Sequence, residues 1–172
     1  MASLRGQSLP LDFMVALFIF LLLLTYFLVI WDIFSDSYAS HTDRVAREIS
    51  AITLSDQLAG SAGSPDNWTE SPVNASTIGL AIRPGELDSH KLCALFGQNY
   101  THLGCNQSGL QYGYAKSIFG VDKDFFIKVE SPGGVLFATM GEQPANASRA
   151  AEVTRVAMLE GSAVFVRVQV YD

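Results

Sequence analysis

Between Phe13 and Trp31 the chain reads FMVALFIFLLLLTYFLVIW, an unbroken run without a charge. At about 1.5 Å of rise per residue, the run spans roughly 28 Å as a helix, close to the ~30 Å hydrocarbon thickness of a bilayer. A helix in the core of a small domain keeps a polar outer face, whereas this segment is apolar all round. Asp12 and Asp32 bracket it. The expectation is one membrane span over residues 13–31.

All five asparagines follow that run, and each opens an N-x-[ST] sequon: Asn67, Asn74, Asn99, Asn106 and Asn146. With the Ser and Thr content of this chain, a set without exception has odds of roughly one in ten thousand. A few asparagines falling in Ser/Thr-rich loops is the competing explanation, and it accounts less well for so complete a match. The pattern implies a surface that carries glycans outside the cell. Arg5 is the one basic side chain before the span, so the positive-inside rule places the N-terminus in the cytoplasm, in agreement with the sequons. The net charge of −6 argues against a nucleic-acid partner, which needs a basic footprint. Beyond the span and its continuation, roughly 110 residues remain, enough for one compact domain.

The first six residues, MASLRG, form a small basic leader. The apolar run is too long for a secretory signal, and Asp32-Ile33-Phe34 follows it in place of a small-residue cleavage site. Arg5-Gly6-Gln7-Ser8, then Asp12-Phe13 and a long apolar helix, resembles the class III signal peptide of archaeal type IV pilins and archaellins. The resemblance implies cleavage after Gly6 by a prepilin-type peptidase, with Gln7 as the new N-terminus. It also implies assembly with other pilin-like subunits through the N-terminal helix. Such proteins usually carry an acidic residue fifth in the mature chain; here Asp12 would be sixth, and Pro10 is an unusual insertion. Pro is tolerated in a first helical turn, where its missing N–H has no partner to lose. A carboxylate at the edge of the span is costly in lipid unless paired. The new amino terminus of a neighbouring subunit would be its partner; a position at the headgroup level facing water is the alternative.

After the span the chain turns polar but keeps a helical period. Val45, Ile49, Ile52 and Asp56 fall at spacings of four, three and four, which continues the helix to about Leu58 before AGSAGSP stops it. A helix from about Pro10 to Leu58 would be roughly 73 Å long, the shape of a type IV pilin. An ordinary signal anchor with a separate juxtamembrane helix is the alternative. The domain plan is a leader over 1–6, a transmembrane and stalk helix over 7–58, and a glycosylated α+β head over 64–172.

In the head, TIGLAI from Thr77 to Ile82 reads as a strand. Asp88 caps a short helix through about Phe96, and a second runs from Leu110 to Phe119, stopped by Gly120. Asp124–Glu130 reads as a strand, Ser131-Pro132-Gly133-Gly134 as a turn, and Val135–Met140 as the returning strand. Ala151–Leu159 and Ala163–Tyr171 form a hairpin around Glu160-Gly161-Ser162. Val164, Val166, Val168 and Val170 point one way, toward the helical stalk. The expected fold is α+β, with a long N-terminal helix packed on a small antiparallel sheet and two short helices, type IV pilin-like. Gly63-Ser64-Pro65-Asp66-Asn67-Trp68, Ile78-Gly79-Leu80-Ala81, Leu87-Asp88, Phe119-Gly120-Val121 and Asp124-Phe125-Phe126-Ile127 are also similar to a group of uncharacterised archaeal membrane-anchored proteins. That resemblance covers residues 63 to about 130 and implies a shared head fold without an activity.

Cys93 and Cys105 read as a disulfide in an extracytoplasmic domain. His90 and His102 make H-x2-C twice with them, so a Cys2His2 zinc set is the alternative; its spacer is short, and Asn99 and Asn106 crowd it. No G-x-S-x-G, H-E-x-x-H or phosphate-binding glycine loop is present. Asp122, Asp124 and Glu130 fall at strand ends, where a solvated surface is expected. No cofactor and no catalytic activity are expected. The leading function is a pilin-like structural subunit of a surface filament, single-pass in the cell membrane with its head outside. The alternatives are an unprocessed, anchored extracellular binding or sensing module and, less well supported, an anchored enzyme.

Overall fold

The computed structural model describes residues 8–100, 105, 108–145 and 150–172. By its internal contacts the chain divides into two units, Met1–Asp43 and Arg44–Asp172. Helix α1 (Ser8–Gly60) contributes to both. Neither Gly nor Pro occurs between Leu11 and Ala59, so nothing in that stretch carries their cost to a helix interior. The described residues of the first unit, 8–43, are the earlier part of this helix. Its side chains from Leu11 to Ser35 are exposed, save a partial shielding of Ile30.

The second unit is built on the last turns of α1. Ala51, Leu54, Ser55 and Leu58 repeat at the spacing of one helix face and are buried. The row Val45, Ile49, Ile52, whose period marks the helix in the sequence, lies on another face and is 40%, 58% and 46% exposed. The buried face uses the small side chains of Ala51 and Ser55, which let the helix approach the sheet closely. Fewer apolar residues are then needed to seat it.

The end of α1 is received by a network of backbone bonds. The last carbonyls of a helix have no partner within it. Here the Ser61 N–H and hydroxyl donate to Gln57 O (3.3 and 2.7 Å), Leu80 N–H to Leu58 O (3.0 Å) and Gly85 N–H to Ala59 O (3.2 Å). Ala81 N–H bonds Ser61 O at 3.0 Å, and the buried Lys91 ammonium donates to Ala62 O at 2.8 Å and Ala81 O at 3.3 Å. A cation beside a helix C-terminus also complements its dipole, and α1 has no basic residue in its own last turn.

That reception breaks the expected Thr77–Ile82 strand in two. Strand β1 (Gly63–Ser64) pairs with β2 (Thr77–Ile78) in a small ribbon, while β3 (Ala81–Arg83) belongs to the main sheet. Between them Gly79 passes so close to Ser61 that a Cβ would lie 2.2 Å from its carbonyl oxygen. The indole N–H of the fully buried Trp68 holds Gly79 O at 3.0 Å.

The main sheet adds β4 (Glu86–Leu87), β5 (Asp124–Glu130), β6 (Leu136–Met140), β7 (Ala151–Leu159) and β8 (Ser162–Tyr171), in the order β3-β4-β7-β8-β5-β6. All neighbours are antiparallel except β4 and β7, so the sheet is mixed rather than purely antiparallel. Strand β4 is too short to show a period and merges in the sequence with the helix start at Asp88. Helix α2 (Ser89–Phe96) is capped by the Asp88 carboxylate, which accepts from His90 N–H at 2.8 Å. Helix α3 (Tyr112–Phe119) starts two residues later than expected and ends at Gly120 with φ 64°, as expected. The β7–β8 turn at Glu160-Gly161 has φ 50° and 80°, the doubly positive geometry that matches the strand twist of a two-residue hairpin.

Val164, Val166, Val168 and Val170 are all fully buried, in one core with Leu54, Leu58, Leu92, Leu95, Phe125, Ile127 and Val129. Arg155 pairs with Val166 in register and so shares its sheet face; its guanidinium reaches Asp56 at 2.7 Å and Ser55 at 3.2 Å. The valine face therefore meets the last turns of α1, as expected. Of the adjacent phenylalanines, Phe125 enters the core beside Tyr112 and Phe119, and Phe126 takes the other face.

Lys91→Met keeps the stem of the side chain but leaves Ala62 O and Ala81 O without their charged donor. Hydrogen bonds to a charged group contribute about 1.5–3 kcal/mol. Chemical denaturation of the variant should show a loss of that order.

Candidate functional site

Three regions hold the residues singled out by the sequence: the apolar part of α1, the surface bearing the sequons, and the outer face of the sheet. In α1, Leu11–Ser35 is the one described helix long and apolar enough to cross a membrane, with a mean hydropathy of 3.0 and no burial within the chain. Phe13, Met14, Phe18, Tyr26, Trp31 and Phe34 are each 64–71% exposed, far more contiguous apolar surface than a water-soluble protein leaves open. The polar atom of Thr25 is satisfied locally, its hydroxyl donating to Leu21 O at 2.8 Å, as a lipid-facing helix requires. Asp12 lies in the second turn of α1, exposed. Gly6 and Gln7 lie outside the described residues.

In the head, the sequon asparagines Asn67, Asn74 and Asn99 are exposed; Asn106 and Asn146 lie outside the described residues. Asn67 sits in a turn beside the buried Trp68 and donates from its amide to Glu70 at 3.0 Å. Asn74 ends the short 3-10 turn Pro72–Asn74, and Asn99 ends another, Gly97–Asn99. These three asparagines are thus exposed at turns of the backbone.

The sulfurs of Cys93 on α2 and Cys105 are at disulfide distance, with the Cα atoms 5.7 Å apart. A bond between them leaves no thiolate for the alternative zinc set; His90 is exposed on α2, and His102 lies outside the described residues. Among the described residues no group of three or more His, Cys, Asp or Glu is placed to share a metal ion. Gly109 wedges the segment after Cys105 against the end of α2, where a Cβ would meet Phe96 C at 2.5 Å, and Leu110 N–H bonds Leu95 O at 3.0 Å.

The outer sheet face differs from expectation at Glu130. It is not a solvated strand-end acid but a buried carboxylate, 7% exposed, held by Lys128 and by Arg167 at 3.0 Å. Arg167 also reaches Glu152 at 3.2 Å. The sequence signal lay in the period-two placement of Lys128 and Glu130 on β5, but the cross-strand partner Arg167 becomes adjacent only in the β5–β8 register. Asp124 is exposed as expected; the hydrogen bond from Lys116 holds its carboxyl below the usual carboxylate range. Asp172 is lowered by its bond from Lys123 and further by Arg47. Each of these carboxylates is neutralised by a cation on a neighbouring element, an arrangement that stabilises the head.

Comparison with known proteins adds no relative: no protein-family model matches the chain, and no curated protein and no solved structure matches it.

Replacing Cys93 and Cys105 together by Ser should lower the stability of the head by about 3 kcal/mol, the entropy of a loop this size, in denaturant titrations. Tyr100, 1% exposed and with no partner for its hydroxyl among the described residues, has its phenol pushed up to about 12 from 10.0 by burial and then by the charge of Glu160. The folded state thus keeps a proton that the unfolded chain releases. Its contribution is full below pH 10.0 and is lost as the pH rises toward about 12. Thermal melts across that range should decline, and less steeply in Tyr100→Phe.

Proposed function

We propose that the chain is a pilin-like structural subunit of a type IV pilus-like surface filament, anchored by residues 13–31 and carrying a glycosylated head outside the cell. The observation that supports this reading is α1. One helix carries both a membrane-length apolar segment exposed on every side and the residues Ala51, Leu54 and Leu58 that enter the core of the head. In a membrane, lipid covers the apolar segment; in a filament, the equivalent helices of neighbouring subunits replace the lipid. Processing between Gly6 and Gln7 releases the subunit from its leader, and Asp12 then meets the new amino terminus of a neighbour. Exposure of Asn67, Asn74 and Asn99 supports glycan attachment, and a sugar coat would blunt proteolysis and non-specific adhesion.

The position of Asp12, one residue later than usual for an acidic residue in such subunits, favours a second reading. In it the chain keeps MASLRG and acts as a single-pass anchored binding or sensing module. An anchored enzyme finds less support, because the sequence carries no G-x-S-x-G, H-E-x-x-H or phosphate-binding glycine loop.

Intact mass of the protein purified from its native membrane separates the readings. Under the filament reading the chain starts at Gln7 and carries glycan mass, and Gly6→Val leaves it long and abolishes surface polymer. A wild-type chain that starts at Met1, with Gly6→Val behaving the same, would establish the anchored module instead.

A further inference from the structure

Strand β7 pairs with β8 along its whole length, but on its other side it meets β4 only at Met158 and Leu159. Met158 N–H donates to Gly85 O at 2.8 Å, so it points away from β8. The β7–β8 register runs without a shift from Ala151 to Leu159. The strand period of two therefore turns the N–H and C=O of Val156, Thr154 and Glu152 to the same open edge. Among the described residues nothing bonds them, and Glu152, Thr154 and Val156 are exposed, Val156 to 66%. Natural sheets blunt such edges with proline, a bulge or charged side chains; between Ala151 and Ala157 β7 has no proline and no bulge, and its two charges, Glu152 and Arg155, are held by Arg167 and Asp56.

Beside this edge runs an open groove of about 490 Å³, with Arg44, Glu48 and Ile52 of α1 on one wall and Ala151, Glu152 and Val153 of β7 on the other. Ile52 is 46% exposed, and Ile49, one turn before it, 58%. The groove thus runs between Ile52 of α1 and the Ala151–Val153 end of the open edge. The charges along it are already matched: Arg44 with Glu48 at 3.1 Å, Arg47 with Asp172, and Glu152 with Arg167 at 3.2 Å. A segment bringing its own charge would find no unpaired counterion among the described residues that line it.

We infer that this edge docks an extended, uncharged segment of a partner protein, which adds a strand to β7 and lays alternate apolar side chains on Ile52 and Val153. Backbone bonds to Glu152, Thr154 and Val156 supply the affinity, and the strip beside α1 supplies the preference for apolar residues at every second position. A second copy fits less well. Its own β7 carries Glu152 and Arg155, so self-pairing would bring two further charges into a channel whose described charges are already paired. The inference is independent of filament assembly.

The test is residue-resolved amide exchange on the full chain in detergent micelles, with the uncharged peptide acetyl-Thr-Val-Thr-Val-Thr-Val-Thr-amide as probe. The peptide should slow exchange at Glu152, Thr154 and Val156 and leave Val153 and Arg155, already bonded to β8, unchanged. Thr154→Pro removes an N–H that no β8 bond uses, and the slowing should be lost. The same peptide N-methylated at every residue should have no effect on the native chain, which keeps the test sound if the proline variant does not fold. Unchanged exchange with excess peptide, or slowing that survives both controls, overturns the inference. Slowing that grows with protein concentration without peptide overturns it in favour of a second copy.

Discussion

The head is organised around the capture of one helix end. The carbonyls of Gln57, Leu58 and Ala59 cannot be satisfied within α1, and burying them unpaired would cost more than most side-chain contacts return. The chain answers by bringing Leu80 and Gly85 back onto them and by placing Lys91 against the next carbonyls. Much else in the first half of the head follows from that return. Gly63 and Gly79 must lack side chains, Trp68 must bond the carbonyl of Gly79, and β3 and β4 must begin where the return ends. The position of α2 is fixed in the same way, since it has to deliver the lysine.

The parts of the fold legible in the sequence are those set by local pattern. The apolar stretch of α1, the Asp88 cap, the Gly120 stop, the β5 limits and the β7–β8 hairpin all follow from periodicity or from residues with one conformational use. The parts that were not legible depend on partners far away in the chain. Thr77–Ile82 has the composition of one strand and becomes two, because Gly79 must clear Ser61. The buried face of α1 uses Ala51 and Ser55, which carry a weak hydrophobic signal, while the stronger row of Val45, Ile49 and Ile52 stays outside.

The same contrast holds for the candidate sites. Sequons and cysteines are read directly; the described sequon asparagines are exposed, and the two sulfurs are at disulfide distance. Glu130 reads as solvated because its charge balance is written on two strands, and its partner Arg167 comes into reach only through the β5–β8 register. The open edge of β7 leaves no trace in the sequence at all. An unpaired strand side is a property of the order of strands, and that order depends on the short β4 stopping after two residues.

The received end of α1 also has a mechanical meaning. Helix carbonyls point along the helix axis, so a pull on α1 loads the bonds from Leu80 and Gly85 nearly end-on and all at once. Beside them, Ala51, Leu54 and Leu58 resist sliding across the valine face as a block. Traction would therefore be shared among parallel links instead of opening them one by one, and the head would hold up to a threshold and then give way as a unit.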